Sequence, residues 1–205
     1  NRPKNRFAKK LEQLEAQGRY RSLNSASGID FTSNDYLGMR GHPKLREAAM
    51  QAIESGMDLG TGGSRLLRGH MDEHAELEEF AARYFGAEKS LFFATGFQAN
   101  YALFTTLPNR HDVIIFDELL HASARDGIQA SNAKSVKVSH NDLNGFEDAL
   151  KKHVARNEES QIWLAVESIY SMDGGLAPLK QLHELATQYG TILIVDEAHG
   201  TGVFG

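Results

Sequence analysis

Residues 191–205 read TILIVDEAHGTGVFG. The aliphatic run at 192–195 has no polar alternation. It ends on an acid, Asp196, and then on a glycine-bearing turn. An apolar run of this length, bounded by turn residues, suits a parallel strand buried on both faces. The letters DEAH also occur on the metal-binding strand of nucleic-acid helicases. That acid works with a phosphate loop of the form G-x-x-x-x-G-K-[ST]. The chain contains no Gly-Lys pair. Its net charge is −5 and its basic residues are scattered, so it lacks the electrostatic footprint of a nucleic-acid binder. Asp196 therefore needs a different partner.

Similar apolar runs lie upstream. Strands are predicted at 90–93 (SLFF), 112–116 (DVIIF), 134–138 (KSVKV), 161–166 (QIWLAV) and 191–195. Helices are predicted between them, near 96–107, 120–131, 142–156 and 178–190. Three earlier helices are predicted at 5–17, 43–55 and 72–85. Phe7, Leu11 and Leu14 share a face of the first, and Leu77, Phe80, Ala81, Tyr84 and Phe85 form a stripe on the third. Alternating strands and helices specify an α/β fold: a mostly parallel sheet with helices on both faces, preceded by an N-terminal helical arm. The chain has no cysteine, which removes disulfides and thiolate chemistry and favours a cytoplasmic home. No apolar run is long enough to span a bilayer, so no membrane association is expected. Residues 1–17 are charged throughout and carry no secretory pattern.

In open parallel sheets ligands bind beyond the carboxyl ends of the strands. Four polar clusters fall there. Thr95 and Gly96 open a helix after the first strand, and the free amides of a helix start suit a phosphate. His121 follows the second strand. Glu167, Ser168, Ser171 and Asp173 follow the fourth. Asp196, Glu197 and His199 follow the last. Taken singly, each has a plain structural reading, as a cap, a packed imidazole or a turn. A fifth pattern, HMDEH at 70–74, fits the H-x-x-E-H arrangement of some zinc proteases. It sits at a helix start with no third-ligand context, so His74 is read as packed and no metal is expected.

The strand-end residues suit pyridoxal phosphate. That cofactor needs a phosphate cradle, a surface against its ring, an acid at its ring nitrogen and a lysine for the Schiff base. The Gly96 and Phe97 amides suit the phosphate and His121 the ring face. Asp196 suits the ring nitrogen, because an N–H⁺ partner offsets the cost of desolvating the carboxylate. His199 lies within reach of the phenolic oxygen.

The segments NDYLGM, GTGGSRLLRGH followed by HAELE, ATGFQAN, HAS after a strand, SIYSMDGGLAPL and VDEAHGTGVFG run in one order from Asn34 to Gly205. In that order they resemble the α-oxoamine synthases. These are fold-type-I, pyridoxal-phosphate-dependent acyltransferases that join an amino acid to an acyl thioester with loss of carbon dioxide. The resemblance implies that 1–40 is an arm and part of a small domain, and that 41–205 is an incomplete cofactor-binding large domain. It implies that Asp196 pairs with the pyridine nitrogen, that His199 and Ser171 serve the ring oxygen, and that His121 stacks on the ring. Gly96 and Phe97 would contact the phosphate, Asn34 would hold the substrate carboxylate, and Glu167 would line the site. His121, Asp196, His199 and Glu167 are thus the candidate catalytic residues. The glycine loop would face the active site of a second subunit in a homodimer. That loop looks most like the branch using alanine and a pimeloyl thioester in biotin synthesis, although Arg68 and His70 depart from it. The family's Schiff-base lysine lies after the DEAHG-like segment, and residues 181–205 contain no lysine. The 205 residues alone are therefore expected to be inactive. A non-catalytic scaffold is the alternative of a different class.

Overall fold

The computed structural model describes residues 6–23, 27–154 and 160–204. Residue 5 and the ends of the predicted helices and turns at 155–156 and 205 lie outside them. The chain divides into two compact units, Asn1–Asp35 and Tyr36–Gly205. In the first, α1 (Arg6–Ala16) ends at Gly18, whose φ of 63° is the left-handed conformation glycine tolerates. The Arg19 and Tyr20 amides close back on the Leu14 carbonyl.

The second unit carries α2 (Pro43–Glu54), α3 (Asp72–Tyr84), α4 (Gly96–Thr106), β1 (Val113–Asp117), α5 (Ala122–Ala130), β2 (Lys134–Val138), α6 (Leu143–Val154), β3 (Ile162–Glu167), α7 (Leu179–Tyr189) and β4 (Ile192–Asp196). Among the described residues the sheet has four strands, ordered β2-β1-β3-β4, and every pairing is parallel. The chain moves outward from β1 to β2, then returns to the other side of β1 to lay down β3 and β4. The reversal makes the carboxyl ends of β1 and β3 the switch point, where α/β sheets leave a crevice.

The continuous apolar runs conceal a period of two. Val113, Ile115, Ile162, Leu164 and Val166 pack on one face with Phe146 and Leu150 of α6 and Leu182 of α7. Ile114, Trp163 and Ala165 pack on the other with Phe104 of α4 and Ala124 and Ile128 of α5. β1 and β3 thus feed two cores, which explains why no polar alternation shows in their sequences. β2 instead alternates, its Val136 and Val138 facing one core while Lys134, Ser135 and Lys137 are exposed. β4, predicted to be buried on both faces, is only half-buried at the edge of the described sheet. The helices α4 and α5 come close at Gly127. A Cβ there would stand 3.1 Å from Phe104 Cβ and 3.1 Å from Tyr101 Cα. That approach brings the neighbouring turns of the two helices, with Asn100 and Ser123, into contact.

The predicted strand at 90–93 is absent. The segment joins no ladder, and Leu91 and Phe92 are exposed. Side chains take its backbone groups instead: the Phe92 N–H donates to Glu78 Oε1 at 2.8 Å, and the Phe92 carbonyl accepts from Arg65 Nη1 at 3.2 Å. The stripe on α3 is likewise unburied, with Phe80 and Tyr84 exposed and stacked on each other at 5.9 Å.

Leu164 is fully buried, so Leu164→Ala is expected to cost about 2–5 kcal/mol in denaturant unfolding. Gly127→Ala is expected to cost about 1–3 kcal/mol by overpacking the α4–α5 contact. Leu91→Ala should change stability by no more than about 0.5 kcal/mol.

Candidate active site

Asp196 closes β4, and its carboxylate is fixed from two sides. Oδ1 accepts the Ala198 N–H at 3.0 Å, an Asx turn that starts the following tight turn. Oδ2 accepts from Asn100 Nδ2 at 2.8 Å. The same amide nitrogen lies 3.0 Å from Ser123 Oγ. Ser123 is buried, and its Oγ lies 2.7 Å from His121 Nδ1. His121 is the N-cap of α5, and its Nδ1 also accepts the Ser123 N–H at 3.2 Å. A continuous hydrogen-bonded chain therefore runs from Asp196 to His121 through two residues that the sequence reading did not assign. Both stand inside segments it did quote, Asn100 at the end of ATGFQAN and Ser123 in HAS. The signal is that Asn100 follows Gly96 by four positions and so shares its helix face.

Gly96 and Phe97 form the first turn of α4, where amides have no intrahelical acceptor. Thr95 caps this turn by accepting the Gln98 N–H at 3.1 Å. A Cβ on Gly96 would meet nothing within 4 Å, so this helix start is uncrowded at Gly96.

Glu167 ends β3 in register with Asp196, so the two carboxylates are neighbours at one sheet edge. Glu167 is only 2% exposed. Its Oε2 accepts the Ser171 N–H at 3.2 Å, while Oε1 has no partner of hydrogen-bond geometry among the described residues. Burial, and then the negative charge of Asp196, push its pKa up to about 7; the Ser171 and His121 amides oppose them. The next residue, Ser168, ties the strand ends together, its N–H donating to the Asp196 carbonyl and its hydroxyl to Glu197 Oε2 at 2.9 Å.

His199 follows in the turn after β4. Its Nδ1 lies 2.6 Å from the Tyr36 hydroxyl, another residue the sequence reading quoted without assigning. Asn34 belongs to the first unit and is described with it alone. At the HMDEH pattern, His74 Nδ1 accepts the Met71 N–H at 3.2 Å and so caps its own helix. Arg65, in the glycine loop, lies 3.0 Å from His70 Nδ1 and grips both oxygens of Glu78, at 2.7 and 3.0 Å. That guanidinium, aided by the Phe92 amide, holds Glu78 down at about 2.

The arrangement fits a flat, cationic heterocycle bearing a phosphate. The test is the Asp196–Glu167 pair. Two neighbouring carboxylates at a sheet edge repel, and a positive ring N–H beside Asp196 offsets that charge. Both Asp196 oxygens are already oriented by one donor each, which leaves acceptor capacity for a further donor.

Comparison with known proteins agrees with this fold and with pyridoxal phosphate as the cofactor. The family model described as aminotransferase class I and II matches residues 26–205. The chain belongs to that family. Within it, the chain is 42% identical to the 8-amino-7-oxononanoate synthase of Geobacter sulfurreducens over 97% of its own length and 53% of that protein's. It spans about half the length of the curated relatives it matches. Among solved family members, it is similar to a serine palmitoyltransferase from S. paucimobilis with bound PLP–myriocin aldimine. There the TM-score is 0.84 and identity is 29%, over 98% of this chain and 55% of that one. The 8-amino-7-oxononanoate synthase from Francisella tularensis gives a TM-score of 0.63 and 30% identity, over 82% of this chain and 44% of that one. Both structures are α-oxoamine synthases, as the motif order implied.

Glu167 supplies a stability test. Its folded pKa, about 7, lies above the ordinary value of 4.5. Its contribution to stability is therefore fully present below about pH 4.5 and is lost as pH rises through 7. Urea titrations across that window should show wild type losing on the order of 3 kcal/mol relative to Glu167→Gln. Parallel curves for the two proteins would show that Glu167 ionises freely.

Proposed function

We propose that the complete protein is a pyridoxal-phosphate-dependent C-acyltransferase of the 8-amino-7-oxononanoate synthase kind. It would join a small amino acid, L-alanine, to an acyl thioester, pimeloyl, and release carbon dioxide and the thiol carrier. The observation that carries this reading is the Asp196 carboxylate, held by Asn100 and Ala198 at the end of a parallel strand and one helical turn across from the helix-start amides.

When bound, pyridoxal phosphate supplies an electron sink for a carbanion at the amino acid's α-carbon. Asp196 would hold the proton on the ring nitrogen. The Gly96 and Phe97 amides would hold the phosphate, with the α4 dipole behind them. His121 would stack on the ring face. His199, its Nδ1 engaged by Tyr36, would turn Nε2 toward the ring oxygen, with Ser171 nearby. Asn34 would hold the substrate carboxylate. Glu167, its pKa raised to about 7, would line the site carrying less than a full charge beside Asp196 near neutral pH. The same reading makes 1–40 an arm and 41–205 the cofactor-binding large domain. It also makes the working form a cytoplasmic homodimer with shared sites, with the glycine loop reaching the partner, and with no nucleic-acid or membrane partner. Among the described residues no helix is long and apolar enough to cross a membrane.

One observation favours a serine-using member instead: the palmitoyltransferase neighbour has a higher TM-score, 0.84, than the synthase neighbour, 0.63. Product analysis of the intact protein with alanine, glycine or serine and a set of acyl thioesters separates these. Asp196→Ala in the intact protein should lower turnover by at least about a hundredfold. It should also alter the visible absorption of bound cofactor. Retained turnover with an unchanged spectrum would overturn the assignment.

A further inference from the structure

We propose that Asn100 and Ser123 are positioning residues that lock His121 in the tautomer carrying its proton on Nε2, so that any proton His121 exchanges at the site passes through Nε2. The inference deepens the function proposed above and rests on it for the role of His121, but not for the state of its ring.

The direction of every hydrogen bond in the chain follows from its acidic end. An ionised carboxylate only accepts, so the Asn100 side-chain atom facing Asp196 Oδ2 at 2.8 Å is the NH₂ group. That group has two protons. One goes to Asp196 and the other to Ser123 Oγ, 3.0 Å away. Ser123 Oγ is thereby an acceptor toward Asn100, and its own proton must go elsewhere. The atom in reach is His121 Nδ1 at 2.7 Å. Ser123 is 1% exposed, so no bulk water competes for that hydroxyl. The Ser123 backbone N–H, which can only donate, reaches the same Nδ1 at 3.2 Å. Two donors converge on Nδ1. A proton there would face both and leave the buried hydroxyl without an acceptor, a cost of a lost buried hydrogen bond. The neutral ring therefore carries its proton on Nε2, which has no partner among the described residues.

The lock couples the two ends of the site. The charge that suits Asp196 to a cationic ring nitrogen also sets the polarity that leaves His121 with a single exchangeable position. Gly127 belongs to the same device, since the α4–α5 approach it permits brings Asn100 and Ser123 within bonding distance.

The test is a long-range ¹H–¹⁵N correlation of the histidine rings in the intact, ¹⁵N-histidine-labelled protein at a pH where the rings are neutral. His121 is assigned by the signals lost in His121→Gln. Wild type is expected to show the Nε2–H pattern as a single species. Asn100→Asp is nearly isosteric but puts an acceptor where the amide donor was. Ser123 must then donate to position 100, and His121 should shift to a pattern with a proton on Nδ1. Ser123→Ala, which keeps the backbone N–H but loses the hydroxyl, should give a mixture of the two tautomers. An Nδ1–H pattern or a mixture in wild type would overturn the proposal, as would an unchanged His121 pattern in Asn100→Asp. Should Asn100→Asp not fold, wild type and Ser123→Ala still decide. Cofactor binding is read separately by visible absorption. Its failure would sink the proposed function while leaving the tautomer result standing.

Discussion

A carboxylate at the end of the half-buried strand β4 is the constraint around which the strand-end site is arranged. Asp196 ends β4, in register with Glu167 at the end of β3. Neighbouring parallel strands of matched register must bring their last side chains together, so the fold itself creates a pair of acids. Water at this edge is scarce on the Glu167 side. The pair resolves the conflict asymmetrically. Asp196 is given two donors, Asn100 and Ala198, while Glu167 is given one and is pushed toward its neutral form. The Glu167 charge is the one disfavoured. An edge that offers one oriented negative charge is what a single cationic nitrogen requires.

The rest of the sheet explains how that charge comes to face a crevice. The order β2-β1-β3-β4 reverses direction between β1 and β3, and the helices divide between the two faces accordingly. With α4 and α5 on one face and α6 and α7 on the other, the loops after β1 and β3 diverge and leave an opening at their carboxyl ends. The amides of Gly96 and Phe97 approach that opening from α4, whose next turn carries Asn100. The helix-start amides and the acid are thus mounted on one helix and one strand, joined by the 2.8 Å hydrogen bond from Asn100 to Asp196.

Much of this was legible in the sequence, for identifiable reasons. Parallel strands covered on both faces are apolar throughout, so DVIIF and QIWLAV declared themselves. TILIV has the same composition but lies half-buried at the edge of the described sheet, and residues at the ends of all three were the natural candidates. Asp196, His121, Glu167 and His199 were proposed that way, whereas Gly96 was proposed from the end of SLFF, where no strand forms. Asn100 and Ser123 were not assigned, because their importance lies in a contact between residues 23 positions apart and another between residues 96 apart. No periodicity reports such contacts. Tyr36 on His199 was missed for the same reason, being 163 positions away. SLFF failed differently. Its composition is that of a strand, but composition specifies only what a segment would bury if a ladder were offered, and none is offered among the described residues.

The fate of SLFF shows how a side chain replaces a ladder. Backbone amides and carbonyls must find partners wherever they are withdrawn from water. At Phe92 both are met by one ion pair: Glu78 accepts from the amide, and Arg65 donates to the carbonyl while gripping Glu78 with its other N–H groups. Arg65 also reaches His70 at the end of the glycine loop. One guanidinium therefore fixes three separate pieces of chain: the loop, α3 and the 90–93 segment that leads directly into Thr95 and the start of α4. A lysine at position 65 would carry the same charge but would lack the planar fork that serves both oxygens of Glu78 at once. The glycine loop and the helix start that bears the Gly96 and Phe97 amides are thus coupled mechanically through a residue that touches neither the acid nor the imidazole of the site.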